Sequence, residues 1–299
     1  MAQSRRNLIA LLMLTTLLAA CRNPVEGLFF HPDRINYGDP RQFGLAHENV
    51  FFDAPDGSRL HGWFLRAPKP QATVLHLHGN AANVSNHLPL IAWMPGAGFN
   101  VLIFDYRGFG RSTGQPTLDG VVEDAAAALR YLRTRGDVDA QRLILFGQSI
   151  GGATALRLLA ADSSARTGVR MVITDSSFDS YRGIAREVAI SSVVLAPFVP
   201  LALPLLPGAQ HDPVTAIAKL EIPVVVMHGT HDAVIPFAHG ERLNAAAREP
   251  KRMLRVERGE HMDAVTRPEV RKALVEAMLA ALTTPSPPAP LPRGERGAS

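Results

Sequence analysis

A chain of 299 residues can bury one large core, and the 46% of its residues that are apolar favour a folded body over a disordered one. The formal net charge is only +4, and lysine and arginine do not cluster with interleaved aromatic residues, which argues against a nucleic-acid partner. The single cysteine, Cys21, rules out a disulfide bond within the chain.

The first 21 residues have the pattern of an export signal. Two arginines precede an uncharged apolar run over 8–20, which as a helix rises only about 20 Å and is too short for a hydrocarbon core of about 30 Å. The run ends in "LAAC", which resembles the lipobox of bacterial lipoproteins. We therefore expect a lipoprotein-type signal peptide over 1–21 with lipidation at Cys21; an ordinary secretory signal is the alternative.

Lipidation would place the protein in the cell envelope, anchored to a membrane on its periplasmic or extracellular side. Arg22 follows the cysteine, where an aspartate would favour retention in the inner membrane, so the outer membrane is preferred. The expected partners are this membrane and a small-molecule or lipid acyl substrate.

Strand patterns alternate with alanine- and leucine-rich helix patterns along the body, which predicts an α/β fold with a mostly parallel sheet. Two strand-like runs joined by Asp56 and Gly57 predict a hairpin at the sheet edge. Further strands are predicted over 72–79, 100–108, 141–147, 169–177, 221–229 and 252–259. Helices are predicted over 84–98, 118–135, 150–162, 235–247 and 267–282.

These patterns predict one domain over 48–282, with an N-terminal linker over 22–47 before it. The proline- and glycine-rich segment 283–299 lacks apolar periodicity and is predicted to be a disordered tail. A proline-interrupted apolar run over 193–206 predicts a small helical cap over about 180–215 and excludes a transmembrane helix there. This run either packs over the sheet, lines an acyl pocket or contacts lipid.

The segment "GQSIG" places Ser149 where a strand pattern ends and a helix pattern begins. A nucleophile elbow requires small neighbours there, and Gly147 and Gly151 supply them. The N–H group of Ile150 at the helix start is predicted to stabilise an oxyanion. The second donor is predicted to be the N–H group of Asn80, in the loop after the first buried strand.

A serine hydroxyl needs a histidine base and an acid that orients this base. In the chain order serine, acid, histidine, Asp232 and His261 are the predicted partners of Ser149, because both lie in loops after strand patterns. Asp175 is the alternative acid, and His239 is interpreted as a surface position on a helix. His76 and His78 alternate with leucines on a buried strand, so we expect internal hydrogen bonds there, with no metal ligand and no cofactor.

Five segments together resemble the α/β-hydrolase superfamily, and within it the Bem46 group, which includes the mammalian ABHD13 and ABHD17 proteins. They are "HLHGNAANVS", "FDYRGFGRSTG", "GQSIGG", "HGTHDAVIP" and "GEHMD", and the resemblance extends from about Val50 to Leu282. It implies a central sheet with helices on both faces and a small helical cap. It also implies Ser149 as nucleophile, Asp232 as orienting acid and His261 as base.

Two details qualify the resemblance. Where related proteins often carry "GGHND", this chain has "GEHMD", so Glu260 and Met262 alter the surroundings of His261. In "FDYRGFGRS", Asp105 and Arg107 are expected to fix the loop rather than take part in the chemistry.

The expected function is a serine hydrolase that cleaves carboxylic ester or thioester bonds through an acyl-enzyme intermediate. A serine peptidase of the prolyl or aminopeptidase type is one alternative, and it would need an acidic or aromatic pocket for the peptide amine. A non-catalytic, membrane-anchored binding lipoprotein is another, against which the complete set of serine, acid and histidine argues.

Overall fold

The computed structural model describes residues 29–190, 204 and 206–283. A sheet of eight strands lies at its centre, in the spatial order β1-β2-β4-β3-β5-β6-β7-β8. Both pairings of β2, with β1 and with β4, are antiparallel, and all the other pairings are parallel. The strands are β1 His47–Asp53, β2 Arg59–Leu65, β3 Ala72–Leu77, β4 Phe99–Phe104, β5 Leu143–Gln148, β6 Val169–Asp175, β7 Val224–Gly229 and β8 Lys251–Val256.

Seven α-helices accompany this sheet in the described part of the chain. Side chains of α1 and α7 pack in one apolar cluster and those of α2, α3, α5 and α6 in another, so helices cover both faces of the sheet. The predicted fold class is therefore confirmed. The helices are α1 Val84–Ile91, α2 Gly120–Thr134, α3 Ile150–Ala161, α4 Tyr181–Ile190, α5 Pro213–Ile217, α6 Ala238–Ala246 and α7 Pro268–Thr283.

The central strand β5 illustrates why the buried strands are apolar throughout. Its side chains alternate between the faces of the sheet: Leu143 and Leu145 join the cluster with α2 and α3, whereas Ile144 and Phe146 join the cluster with α1 and α7. All four are fully buried. Because both faces are covered, neither set of alternating positions has to be polar.

One predicted helix is shorter than expected. The pattern over 84–98 predicts a continuous helix, but α1 ends at Ile91 and a separate 3₁₀ turn follows over Pro95–Ala97. Pro95 lacks the N–H group that would bond to the carbonyl of Ile91 in a continuous helix. The separate turn therefore begins at Pro95.

Residues 29–43 form an N-terminal strap that packs on the domain, although the sequence analysis places them in a linker over 22–47. Phe29 and Phe30 are buried in the core. His31–Pro32 then pairs in parallel with Ala81–Ala82, in a small sheet of its own. The strap therefore reaches the loop that follows β3.

Several predictions fall outside the described residues. They are the signal peptide over 1–21 with Cys21, the tail from residue 284 onward, and most of the apolar run over 193–206. The described parts of the predicted cap are α4, the 3₁₀ turn Ala209–His211 and the first residues of α5. In the part of the chain that the structure describes, no helix is both long and apolar enough to cross a membrane.

Candidate active site

Ser149 occupies a strained turn between β5 and α3. Its φ of 54° and ψ of −122° are rare for a residue with a side chain. Two hydrogen bonds hold the turn: the Ser149 N–H donates to the carbonyl of Asp175 at 2.8 Å, and Ser177 Oγ donates to the carbonyl of Ser149 at 2.8 Å. This is the strained strand-to-helix turn that a nucleophile elbow requires.

The glycines beside Ser149 allow close backbone approach. A Cβ atom at Gly147 would overlap the backbone of Gly151. A Cβ atom at Gly151 would overlap the carbonyl groups of Leu77 and His78, at the end of β3. The start of α3 therefore lies directly against the loop that follows β3.

Asp232 and His261 are brought together by the loops after β7 and β8. The N–H groups of Val234 and Ile235 donate to Asp232 Oδ1 at 2.9 and 2.8 Å, and His261 Nδ1 lies 2.8 Å from Asp232 Oδ2. A carboxylate oxygen only accepts, so Nδ1 carries the proton and Nε2 of His261 is the basic nitrogen. The Asp232 side chain is fully buried and that of His261 is 16% exposed.

Asp232 is held in its ionised form. Burial alone would raise the pKa of Asp232, but the hydrogen bonds from His228 and His261 and from the backbone N–H of Ile235 hold that pKa well below its ordinary value. His228 Nε2 lies 3.4 Å from Asp232 Oδ2 and donates to the carbonyl of Ile235 at 2.8 Å. Asp232 therefore carries a negative charge opposite His261 at neutral pH.

The alternative acid, Asp175, faces a different partner. Its Oδ2 accepts a hydrogen bond from Gln148 Nε2 at 3.0 Å. Burial raises the pKa of Asp175 to about 6, despite this hydrogen bond. The carboxylate that orients His261 in this structure is that of Asp232.

Ser149 and His261 lie in neighbouring loops without a hydrogen bond between their side chains. Within the described residues, the His261 ring bonds only to Asp232. The next residue, Met262, donates its N–H to Ser176 Oγ at 3.0 Å, and Asp175 beside it accepts from the N–H of Ser149. Contacts between base and nucleophile often form fully only with substrate bound.

The loop over 79–82 has all four of its carbonyl groups engaged. A trans peptide directs its C=O and N–H to opposite sides, so the engaged Gly79 carbonyl turns the N–H of Asn80 away from the His78 ring. The donors are His78 Nδ1 to Gly79 at 2.7 Å, the His31 N–H to Asn80 at 2.8 Å, His87 Nε2 to Ala81 at 3.1 Å and the Asp33 N–H to Ala82 at 3.2 Å.

The other predicted oxyanion donor, Ile150, is the first residue of α3. Its N–H is among the first four of a helix, which have no acceptor within the helix. Because α3 begins against the carbonyl groups of Leu77 and His78, just before the loop over 79–82, the N–H groups of Asn80 and Ile150 belong to adjoining segments. A developing negative charge there would also gain from the helix dipole.

Three buried histidines support the loop as neutral rings. Burial lowers the pKa of His76 to about 3 and also lowers the pKa values of His78 and His87. His76 Nε2 bonds to Gln148 Oε1 at 3.0 Å, and the His78 and His87 rings stack with centroids 5.1 Å apart. Across residues 29–190 and 206–283, no group of three or more His, Cys, Asp or Glu side chains is arranged to hold a metal ion.

Comparison with known proteins identifies the family. The family model described as "Serine aminopeptidase, S33" matches residues 68–203. The chain is 41% identical over 264 residues to "Uncharacterized protein YfhR" of Escherichia coli K12, which covers 85% of this chain and 87% of that protein. It is 32% identical over 246 residues to "Alpha/beta hydrolase domain-containing protein WAV2" of Arabidopsis thaliana, with 75% of each chain covered. The chain belongs to the α/β-hydrolase superfamily.

Within this superfamily the hydrolase falls in the Bem46 group. It is 27% identical over 208 residues to "Protein bem46" of Schizosaccharomyces pombe, with 68% of this chain and 66% of that protein covered. Its fold is similar to that of the Pyrococcus furiosus esterase Pf2001, with a TM-score of 0.68 and 20% identity over 84% of this chain and 97% of that one. The predicted resemblance is confirmed.

In the hydrolase, the charged residues of "FDYRGFGRS" hold loops together. Asp105 Oδ1 accepts the N–H of Val84, at the start of α1, at 2.9 Å. The buried Arg107 forms salt bridges with Asp124 at 2.8 Å and with Asp56 at 2.7 Å. These contacts join the loop after β4 to α1, to α2 and to the β1–β2 hairpin.

The interpretation of His239 as a surface position is wrong. His239 lies on α6 and is fully buried. Its Nδ1 contacts Asp179 Oδ1, and its Nε2 lies 2.9 Å from Glu187 Oε2 on α4. Arg242, one turn further along α6, bonds to Asp179 as well. Its partners lie 60 and 52 residues away, so no local pattern connects them to His239.

Two further supports of the site are not predicted from the sequence. His228 sits four residues before Asp232 in "HGTHDAVIP", and this spacing was the available signal. The strap residues His31 and Asp33, whose N–H groups bond to the loop over 79–82, carry no comparable signal because any residue except proline has such a group.

Proposed function

We propose that the hydrolase cleaves carboxylic ester or thioester bonds through an acyl-enzyme intermediate. The observation that carries the proposal is the hydrogen bond from His261 Nδ1 to the ionised Asp232, which leaves Nε2 unprotonated and able to act as the base for Ser149. Nε2 takes the hydroxyl proton as Ser149 Oγ attacks the acyl carbonyl, and it then gives that proton to the leaving group.

The oxyanion forms against the N–H groups of Asn80 and Ile150. Water, activated by the same Nε2, then attacks the acyl-enzyme and releases the carboxylic acid. Throughout both steps Asp232 holds His261 in one tautomer and stabilises the imidazolium that forms.

The contact between Glu187 and His239 favours an ester substrate over a peptide substrate with a free amino terminus. A peptidase of the aminopeptidase type needs a carboxylate for the substrate ammonium group. The described residues of the predicted cap hold two carboxylates, and both are engaged: Glu187 Oε2 lies 2.9 Å from His239 Nε2, and the buried Asp212 accepts the N–H of Tyr181 at 3.0 Å. The peptidase function therefore remains the second candidate, supported by the description of the matching family model.

Active-site labelling tests the nucleophile. The full chain should react with a fluorophosphonate probe, and Ser149→Ala should abolish the reaction. Ser164→Ala is the control, because Ser164 is exposed and its Oγ bonds to Asp162 beyond the end of α3. Persistent labelling of the Ser149→Ala protein would contradict the assignment, and an unlabelled native protein would favour the non-catalytic alternative.

A substrate panel tests the bond that is cleaved. We expect the full chain to hydrolyse p-nitrophenyl esters or acyl thioesters faster than aminoacyl p-nitroanilides, with no rate above background for Ser149→Ala. Faster cleavage of the anilides would favour the peptidase function instead.

We also propose that Cys21 is lipidated and anchors the hydrolase to a membrane of the cell envelope. Support comes from "LAAC" after the apolar run over 8–20. Cells fed an alkynyl fatty acid should incorporate it into the native chain and not into Cys21→Ser. An equal signal from both proteins would refute the anchor.

A further inference from the structure

The exposed large apolar side chains of the hydrolase gather at one edge of the sheet. In the described part of the chain there are five, and all except Phe43 lie at the carboxyl ends of the parallel strands. Ser149, Asp232 and His261 lie at the same edge, after β5, β7 and β8. The five are Ile35 at 59% exposure, Val234 at 55%, Tyr37 at 48%, Phe43 at 44% and Phe51 at 37%.

Backbone contacts place two of these residues beside the start of α1. The carbonyl of Ile35 accepts from Asn83 Nδ2 at 2.8 Å, and the N–H of Tyr37 donates to Ser85 Oγ at 2.9 Å. Asn83 caps α1 just after the loop over 79–82. The exposed side chains of Ile35 and Tyr37 therefore border the predicted oxyanion loop.

Phe51 reaches the same edge from the β1–β2 hairpin. It pairs with His61, whose carbonyl accepts the N–H of Asp105 just beyond the end of β4. The guanidinium groups of Arg59 and Arg111 lie 4.6 and 5.3 Å from the centroid of the Phe51 ring.

Positive charge accompanies these apolar side chains. Arg34, Arg59 and Arg111 form no salt bridge within the residues that the structure describes. The N–H of Gly110 donates to the carbonyl of Asp33 at 2.9 Å, which joins the strap to the loop that carries Arg111. Apolar side chains and guanidinium groups without a salt bridge thus lie at the same edge of the sheet; Arg111 also contacts Asn49 Oδ1 and His61 Nε2, each at 3.4 Å.

We propose that this surface binds an anionic phospholipid bilayer; we call it the docking face and define it by Arg34, Ile35, Tyr37, Phe51, Arg59 and Arg111. The guanidinium groups would bind lipid phosphates, while the apolar side chains enter the interfacial region. The chain outside the described residues favours this occupant, because Cys21, the proposed site of lipidation, lies shortly before Phe29. An extended chain covers at most about 28 Å over the eight steps from Cys21 to Phe29, which keeps the domain close to a membrane that holds this lipid.

Binding to a bilayer in this orientation indicates which class of substrate reaches the site. This inference rests on the proposed function. The docking face adjoins the loop over 79–82, since the N–H of His31 bonds to the carbonyl of Asn80 at 2.8 Å. A bilayer at this edge faces the mouth of the site. The substrates are then ester- or thioester-linked acyl groups presented by the membrane.

Depth-dependent quenching tests the orientation without depending on activity. The full chain with Cys21→Ser and Ile35→Cys, labelled with a nitrobenzoxadiazole dye, is mixed with phosphatidylcholine–phosphatidylglycerol vesicles that carry brominated acyl chains. The matched control is Lys69→Cys in the same background, because Lys69 precedes β3 at the opposite edge of the sheet. We expect strong quenching at position 35 and little at position 69. Equal quenching at the two positions would overturn the proposal.

A kinetic comparison tests the consequence for substrates. Arg34→Glu with Ile35→Asp should lower the hydrolysis of a long-chain ester in the same vesicles by roughly fivefold or more, the contribution of about one basic residue at an anionic surface. Hydrolysis of soluble p-nitrophenyl acetate should not change. The control pair, Lys69→Glu with Arg142→Glu, removes more positive charge from the opposite edge and should leave both rates unchanged.

The outcomes separate the two proposals. An equal loss on soluble and vesicle-borne esters, or the same vesicle-specific loss in the control pair, would overturn the docking face. If neither the native chain nor any variant hydrolyses an ester, the proposed function is wrong. The quenching experiment still decides whether the docking face binds a bilayer.

Discussion

Among the histidines that contact buried carboxylates, His261 and His239 differ in what their second ring nitrogen contacts. His261 donates from Nδ1 to Asp232, and its ring makes no other hydrogen bond among the described residues. His239 contacts Asp179 through Nδ1 and Glu187 through Nε2. Arg242 also donates a hydrogen bond to Asp179, and these four side chains form one cluster. The first ring is partly exposed at the site, whereas the second is fully buried between α4 and α6.

The difference shows that a hydrogen bond between a histidine and a carboxylate does not by itself make the histidine a catalytic base. A ring with a free nitrogen can accept and return a proton, as the base of an acyl transfer must. A ring with both nitrogens engaged by carboxylates can only hold those groups in place. His239 therefore connects α4, which begins the predicted cap, to α6 on the body of the domain.

The largest expected effect is on catalysis at His261. His261→Ala should lower kcat for a p-nitrophenyl ester by about 10⁴-fold or more, because Ser149 loses its base. The free energy of unfolding should fall by only about 1–2 kcal/mol, since the buried Asp232 carboxylate keeps the hydrogen bonds from the N–H groups of Val234 and Ile235. Steady-state kinetics and urea denaturation measure both quantities.

The same pair of measurements on His239→Ala provides the control for that experiment. If His239→Ala lowers kcat as strongly as His261→Ala while both proteins remain folded, the distinction between the two histidines is wrong.

The next largest effect is on stability at His239. Burial would raise the pKa of Asp179, but the hydrogen bonds from His239 and Arg242 lower it to about 2. His239→Ala removes one of these donors from a buried carboxylate, so we expect a loss of about 2–4 kcal/mol in the free energy of unfolding. Urea denaturation at neutral pH measures the loss, and a change within about 0.5 kcal/mol would show that the cluster does not stabilise the fold.

Asp175 sharpens the comparison, because it is a buried carboxylate bonded to an amide instead of a histidine. Its pKa is raised from the ordinary 3.8 to about 6 by burial, so its ionisation destabilises the folded state as the pH rises through 6. Asp175→Asn cannot ionise and can keep the hydrogen bond from Gln148. The free energy of unfolding of the variant, relative to that of the native chain, should rise as the pH increases from about 4 to about 6. At pH 8 the full gain should be roughly 3 kcal/mol.

Denaturation midpoints at pH 4.5 and pH 8 test this gain. A difference between the two proteins that is independent of pH would show that Asp175 stays ionised throughout.

The smallest effect belongs to Glu187, whose side chain is 43% exposed. Glu187→Gln keeps an oxygen that can bond to His239 Nε2 and removes only the charge, so we expect a loss below about 1 kcal/mol. Hydrogen exchange of α4 should increase slightly. Arg248→Gln is a matched control, because Arg248 also forms an exposed salt bridge, with Glu221, away from α4. An equal change in α4 exchange for both variants would contradict a specific link through Glu187.

The sequence predicts the regular elements well because their signals are local. The strand ending at Gln148, the helix from Ile150 and the loops with Asp232 and His261 follow from apolar periodicity and turn residues. The hydrogen bond between Asp232 and His261 could be expected from chain order and family resemblance, whereas the partners of His239 depend on how α4 and α6 pack. Side chains that meet only through tertiary packing leave no periodic pattern.

The N-terminal strap is not predictable from the sequence for a related reason. Its segments that contact the body are too short for a periodicity of 2 or 3.6 residues to develop, since only His31–Pro32 pairs as a strand. Phe29 and Phe30 are apolar, but two adjacent apolar residues indicate neither a strand nor a helix.

The strap also changes where the catalytic unit of this chain begins. Its N–H groups at His31 and Asp33 bond to the carbonyls of Asn80 and Ala82. A protein expressed from residue 48 onward would keep Ser149, Asp232 and His261 but would leave these two carbonyls without their strap donors. The loop over 79–82 would then be free to rotate its peptides, so we expect a shortened version designed from the predicted domain boundary alone to be a poorer catalyst than the intact chain.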